Sequence, residues 1–87
     1  MRVRAKFVGS PYTIVGISDT WLFFDKNEVT VRELVTKLEK ERGIELNLEI
    51  SNIVVLVNGR DIEFMAGLDT ELKDLDEVVV ASIIAGG

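Results

Sequence analysis

Cysteine and histidine are both missing from the 87 residues of this chain. Those two absences exclude disulfides, thiolate nucleophiles, iron–sulfur ligation and every Cys/His zinc site. They also remove the side chain most often used as a general base near neutral pH. A chain without cysteine fits a reducing compartment. Long apolar runs are absent too: none approaches the roughly 18 residues that a membrane-spanning helix needs. The opening "MRVRAKFV" alternates charged and apolar residues, unlike a signal peptide. The expectation is a soluble, cytoplasmic protein. An excess of basic charge is lacking as well. Fifteen acidic residues face ten basic ones, for a net charge of −5, whereas nonspecific nucleic-acid binders carry basic patches and a high pI. Direct nucleic-acid binding is therefore not expected, although an acidic chain can still meet a basic partner. No internal repeat, low-complexity stretch or linker interrupts the sequence.

What remains is a globular composition, 47% apolar and 29% charged, in a length suited to one domain. A chain of this size buries roughly 60–65% of its unfolded surface, enough for one modest core. Val3, Ala5 and Phe7 alternate with Arg2, Arg4 and Lys6, the period of a strand with one buried face. Gly9, Ser10 and Pro11 then read as an interruption. "TIVG" and "WLFF" follow, and the expected structure is a first hairpin of strand, irregular turn and strand. Trp21, Phe23 and Phe24 read as core and sheet surface rather than a ligand box, since aromatics are common in strands.

The clearest element is "TVRELVTKLEKERG". Val31, Leu34, Val35 and Leu38 fall at i, i+3, i+4 and i+7, one face of a helix. Thr30 with Glu33 three residues later is a capping box, and Val29 with Leu34 suits a hydrophobic staple. Gly43 stands where a left-handed C-terminal residue belongs. Arg32, Lys37, Glu39 and Lys40 read as a solvated face. Residues 44–52 alternate weakly and suit a loop or a short strand. "IVVLV" then runs into Asn58-Gly59, the strongest short hairpin signal, with "RDIEF" as a short returning edge strand. "LDTELKDLDE" suggests a helical turn capped by Asp69, and "EVVVASI" is the last strand. Seven acids (Asp61, Glu63, Asp69, Glu71, Asp74, Asp76 and Glu77) against Arg60 and Lys73 make residues 60–77 strongly acidic. Asp74, Asp76 and Glu77 read as turn residues at a strand entry rather than a metal site. The fold class is α+β, a mixed sheet with one main helix across one face.

One helix covers one face only. Yet "IVVLV" and "VVVASI" are apolar on both faces, as in strands buried on both sides. An uncovered apolar row of this kind often marks a protein–protein site. Residues 44–52, the first hairpin, a second copy in a homodimer, or a different partner are the alternatives for covering it. If the first strand lies beside the last, Arg2, Arg4 and Lys6 form a basic stripe along that row. Val8, Arg4, Lys6, Val80 and Ser82 are the candidate partner contacts.

The element order, "VNGR" after the third strand, "LKDLDEVVV" before the last strand and the closing Gly86-Gly87 together resemble the ubiquitin-like β-grasp sulfur carriers. Within them the chain is most similar to the small subunit of molybdopterin synthase. Gly16 and "VTVRELVTKLEKERG" match in position and pattern, and the resemblance spans essentially the whole chain. A long first hairpin argues against the shorter thiamine-pathway carrier and leaves the ubiquitin-related modifiers open. Three departures stand out. Asp74-Leu75-Asp76 replaces Asp-Gly-Asp before the last strand. Val80-Ala81-Ser82-Ile83 replaces a stretch with aromatics and a Pro-Pro pair. Gly9-Ser10-Pro11 replaces a helical-looking segment.

The resemblance implies a β-grasp domain over residues 1–87 with a flexible tail from about residue 83. It also implies that a ubiquitin-activating-like adenylating enzyme spends ATP to activate the carboxylate of Gly87, which then becomes a thiocarboxylate. The large subunit of molybdopterin synthase would be the second partner. The chain itself would be a non-catalytic carrier, with no bound cofactor and no metal. Gly86 and Gly87, lacking Cβ atoms, fit a narrow channel. Ile83, Ile84 and Ala85 would thread ahead of them. Residues 82–87 reach about 20 Å if extended. Conjugation to lysines, tRNA thiolation, or a β-grasp interaction module without tail chemistry are the alternative uses of such a chain.

Overall fold

Two sheets share one core in the computed structural model, which describes residues 1–48 and 52–83. In chain order the elements are β1 (Arg2–Val8), α1 (Ser10–Val15), β2 (Asp19–Phe23), β3 (Val29–Thr30), α2 (Val31–Arg42), β4 (Ile53–Val57), β5 (Arg60–Asp61), 3-10 turns at Ile62–Phe64 and Gly67–Asp69, β6 (Glu71–Leu72) and β7 (Glu77–Ser82). The main sheet runs β2-β1-β7-β4-β5, and β3 pairs with β6 in a two-stranded ladder. β1 and β7 are parallel, while β1–β2, β4–β7 and β4–β5 are antiparallel. This is the ubiquitin-like β-grasp.

Alternation decides which residues reach the core. Val3, Ala5 and Phe7 of β1, Leu22 of β2, Val55 and Val57 of β4, and Val78 and Val80 of β7 are all buried. They form one cluster with Val31, Leu34, Val35 and Leu38 of α2. Burying a Leu or Val side chain stabilises a fold by roughly 1.5–3 kcal/mol. The helix starts as its sequence requires: the Thr30 hydroxyl accepts from Glu33 N–H at 3.2 Å, and Glu33 Oε1 accepts in return from Thr30 N–H. Val29 and Leu34 are both fully buried, in keeping with the staple. Gly43 ends the helix at φ 63°.

The first connection departs from the hairpin expected of it. Ser10–Val15 is a helix with Pro11 in its first turn, and Gly16 caps its end at φ 88°. Proline is tolerated there because first-turn N–H groups have no partner inside the helix. The segment that reads as interrupted is thus the helical one, and its third departure from the carrier pattern disappears. The length argument against the thiamine-pathway carrier loses its hairpin at the same time.

The return from β4 is shorter than expected. Asn58 (φ 51°) and Gly59 (φ 84°) make the tight turn. After Asp61 the chain leaves the sheet, because the Asp61 carboxylate accepts from Glu63 N–H and starts a 3-10 turn. Asp69 ends the next helical turn instead of capping it, and Glu71–Leu72 extend to pair with β3, with Leu72 buried. The acidic cluster before β7 builds a turn, as expected. Asp74 accepts from Arg2 N–H, and Asp76 accepts from Lys73 N–H and the Asn58 amide. Leu75 holds φ 72° at the tip, the conformation that glycine of an Asp-Gly-Asp turn takes without cost.

Lys26 pulls the Glu33 carboxyl below its ordinary value of 4.5 through a direct hydrogen bond, helped by the Thr30 N–H. A lowered folded pKa stabilises the fold above the unfolded value, and that contribution disappears as pH falls through the folded one. Glu33→Gln is therefore expected to lower stability at pH 7, with the gap to wild type closing below pH 4.5. Thr30→Ala is expected to cost about 1 kcal/mol. Urea denaturation across that pH range checks both. Leu75→Gly is expected to be neutral or stabilising by up to about 1 kcal/mol, since it relieves a left-handed leucine whose side chain is exposed.

Candidate tail exit and docking face

β7 is the last strand of the chain and lies at the centre of the sheet. Its end is held on both flanks. Val8 stands opposite Ala81 on one side, and Ile53 stands opposite Ser82 on the other. Ile83 N–H donates to the Asn52 carbonyl, so the sheet grips the chain one residue beyond β7. The sheet's hold thus extends to Ile83, the residue at which the tail is expected to begin. Ile84, Ala85, Gly86 and Gly87 lie outside the described residues.

Ser82 points to the α1 side of the sheet. Its Oγ accepts from Ser10 N–H at 3.1 Å, serving the helix as an N-cap donated from 72 residues away. Gly9 makes room for this: at φ 75°, a Cβ there would stand 1.9 Å from Ser82 Oγ. Ser82 is thus an internal clasp, and its hydroxyl is not turned to a docking partner. Val80 is also misplaced in the expected interface. Even positions of β7 face the helix, and Val80 is fully buried. The odd positions Val79 and Ala81 face outward.

The outer face is built in lateral rows. Lys6, Val79 and Leu56 lie side by side, as do Val8, Ala81 and Val54. Val54, Leu56, Val79 and Ala81 are half-buried, while Val8 is 56% exposed. Among the described residues no element crosses this face. Leu46 is buried in the core and its N–H donates to Glu39 on α2, so residues 44–48 lie on the helix side. Arg42 donates to the Val15 carbonyl, which ties α1 to the same side. The outer row that one helix leaves uncovered is therefore bare at the very strand that carries the tail.

The basic stripe beside it is present but largely neutralised. Arg4 pairs with Asp19 at 2.7 Å and Lys6 with Glu77 at 2.9 Å. The hydrogen bond to Asp19 and the charge of that carboxylate hold the Arg4 guanidinium above its ordinary range. Arg2 and Arg4 lie 5.4 and 5.6 Å from the centre of the Trp21 ring. Trp21 and Phe23 of β2 stand on this face, exposed by 40% and 64%, so its edge is aromatic as well as charged. Sequence alternation identified the face. Only the strand order could show that carboxylates from β2 and β7 neutralise its cations. Among the described residues no three acidic side chains gather as metal ligands, and no helix is long and apolar enough to cross a membrane.

A terminal segment carried out from the sheet centre, beside a bare apolar face, is the arrangement in which comparison with known proteins becomes decisive. Residues 5–87 match the ThiS family. The chain belongs to that family of ubiquitin-like sulfur carriers. A putative sulfur carrier protein of Archaeoglobus fulgidus is 33% identical over 73 residues, covering 76% of this chain and 83% of the relative. Solved structures share the fold, among them the two that follow. The small archaeal modifier protein 1 of Methanosarcina acetivorans superposes with a TM-score of 0.75 at 22% identity, over 99% of this chain and 96% of that one. A protein–protein complex of subunits 1 and 2 of the Helicobacter pylori molybdopterin-converting factor matches with a TM-score of 0.65 at 22% identity, over the full length of both chains.

The clasp is testable in this carrier. Gly9→Ala forces Ser82 aside and places alanine at positive φ, so a loss of roughly 1–3 kcal/mol is expected. Ser82→Ala is expected to cost about 0.5–2 kcal/mol by uncapping α1. The double variant should lose less than the sum, because both changes break one contact. Thermal or urea unfolding of the three variants gives the coupling.

Proposed function

We propose that this chain is a sulfur carrier whose reactive group is the carboxylate of Gly87, supplying sulfur for molybdopterin synthesis. The observation that carries the reading is the family match running through residue 87, on a chain whose central strand ends at Ser82, four positions before Gly86 in the sequence. The chemistry needs no catalytic side chain from the carrier. In an activating enzyme, the Gly87 carboxylate attacks the α-phosphorus of ATP and expels pyrophosphate. The acyl-adenylate then has a good leaving group. The terminal sulfur of an enzyme persulfide attacks the acyl carbon and AMP departs, leaving an acyl disulfide. A second thiol cleaves its S–S bond, is itself oxidised to a disulfide, and releases the thiocarboxylate. Dividing one difficult substitution in this way is the logic of covalent relay. At the acceptor enzyme the thiocarboxylate sulfur attacks a carbon of the small molecule, displacing an oxygen leaving group from it and leaving a thioester between carrier and small molecule. Water then cleaves the acyl–sulfur bond and returns the carboxylate.

The outer face suits the docking steps. Val8, Val54, Leu56, Val79 and Ala81 offer apolar area next to the tail, and the ion pairs of Arg4 and Lys6 can be exchanged for pairs with a partner. The activating enzyme and the large subunit of a molybdopterin synthase would use the same face in turn. The neutralised stripe favours a partner that is apolar at its centre and mixed in charge at its rim. The second reading is a modifier joined to lysine amines through Gly87; the archaeal protein that shares this fold is named a modifier.

One measurement distinguishes these uses. Purified from its own cells, the carrier should show a mass increase equal to exchange of one oxygen for one sulfur, located on Gly87 by fragmentation. Gly-Gly remnants on lysines of other proteins would instead establish the modifier. A chain lacking Gly86-Gly87 should keep its stability and lose molybdenum-cofactor support entirely. Retained support would reject the carrier reading, and conjugates on lysines of other proteins formed without Gly86-Gly87 would reject the modifier.

A further inference from the structure

The opposite edge of the sheet carries an opening that the tail chemistry does not use. Backbone polarity along β4 can be read from its neighbours. Asn58 N–H bonds to the Glu77 carbonyl and the Asn52 carbonyl accepts from Ile83 N–H, both towards β7. Even positions therefore face β7, and Ile53, Val55 and Val57 turn their N–H and C=O groups the other way. On that side β5 is two residues long, and its ladder ends at Leu56 opposite Asp61. Ile62, which would continue it opposite Val55, is already in a 3-10 turn. Among the described residues, Ile53–Val55 have no strand along this edge.

A cleft of about 210 Å³ lies there. Its walls include Ile53, Val55, Ile62 and Leu68, with Asp61 and Glu63 on its lining. Both carboxylates lack an ion pair among the described residues, and no cation lines the cleft. They sit within the acidic stretch 60–77. An unpaired strand edge attracts an extended chain, and unpaired buried backbone groups are costly. The apolar floor takes every second side chain of such a chain, and the acidic rim takes cations between them.

We propose that this cleft is a second docking site, for an extended partner segment alternating apolar and basic residues, which adds to β4 as a short strand. Three β4 positions offer about 10 Å of edge, so the segment is brief and its binding weak and salt-sensitive. The partner's identity as an activating or acceptor enzyme is not required, and the site is independent of any chemistry at Gly87.

The test uses the full-length protein, labelled with 15N, and a capped five-residue peptide alternating lysine and valine. The amides of Ile53, Val55, Ile62, Gly67 and Leu68 are expected to shift and saturate. Affinity should fall several-fold between about 50 and about 200 mM salt, and about two- to five-fold on Glu63→Gln, a change at an exposed position. A peptide N-methylated on alternate amides should not bind, nor should one with glutamate in place of lysine. Equal binding by the glutamate peptide, shifts confined to Val79 and Trp21, or no shift at millimolar peptide would overturn the proposal. Two other occupants would also defeat it. If these amides move with protein concentration alone, a second copy fills the cleft. If they move when the chain is ended at Ile83, its own tail does.

Discussion

Everything in this molecule hangs on β7 being hydrogen-bonded on both sides. β1 pairs with it in parallel and β4 antiparallel, so the last strand formed in the chain is the one that joins the first to the later half. Its inward residues, Val78 and Val80, are fully buried beneath α2. Its outward residues, Val79 and Ala81, stay half-buried because α1 and α2 both lie on the other side of the sheet. A single topological choice therefore fixes the core, leaves a bare apolar face, and sends the chain out at the middle of that face rather than at a frayed edge.

That arrangement separates stability from function in space. The core is aliphatic and closed, and among the described residues no side-chain polar atom is buried without a partner. The turn acids are occupied with backbone N–H groups, and the face cations with carboxylates of neighbouring strands. Exposed ion pairs of this type contribute little to stability, so exchanging them for a partner's groups costs the carrier little. Around the exit the construction is different. Gly9, Ser10 and Ser82 form one tight contact between α1 and the end of β7, and Ile83 is held by Asn52. The end of β7 is therefore held by contacts from α1 and from Asn52.

Period and capping made most of this legible in the sequence. α2 was readable from Val31, Leu34, Val35 and Leu38 with Thr30 and Glu33, all of it local information. β1, β4 and β7 were readable from alternation and apolar runs, and the surplus apolar row followed from counting helices. α1 was not, because its N-cap is supplied by Ser82 from the far end of the chain and Pro11 reads as a breaker unless a helix is already assumed. Val80 was assigned to the wrong face since a strand that is apolar on both sides carries no sign of which side the helix takes. The neutralised stripe depended on strand neighbours, which no local pattern encodes. The short β5 hinged on one Asp61 hydrogen bond that competes with the ladder. Gly86 and Gly87 were legible as a motif and lie outside the described residues.

The parallel pairing of β1 with β7 has a mechanical side. A partner drawing on the tail pulls along β7 towards its C-terminal end. The load then falls on the ladders to β1 and β4 lengthwise, so their hydrogen bonds are strained together rather than opened one at a time from an end. Force applied along β7 is met in shear by a strand bonded on both flanks. A pull on the end of this carrier is therefore met by a strand held from both sides.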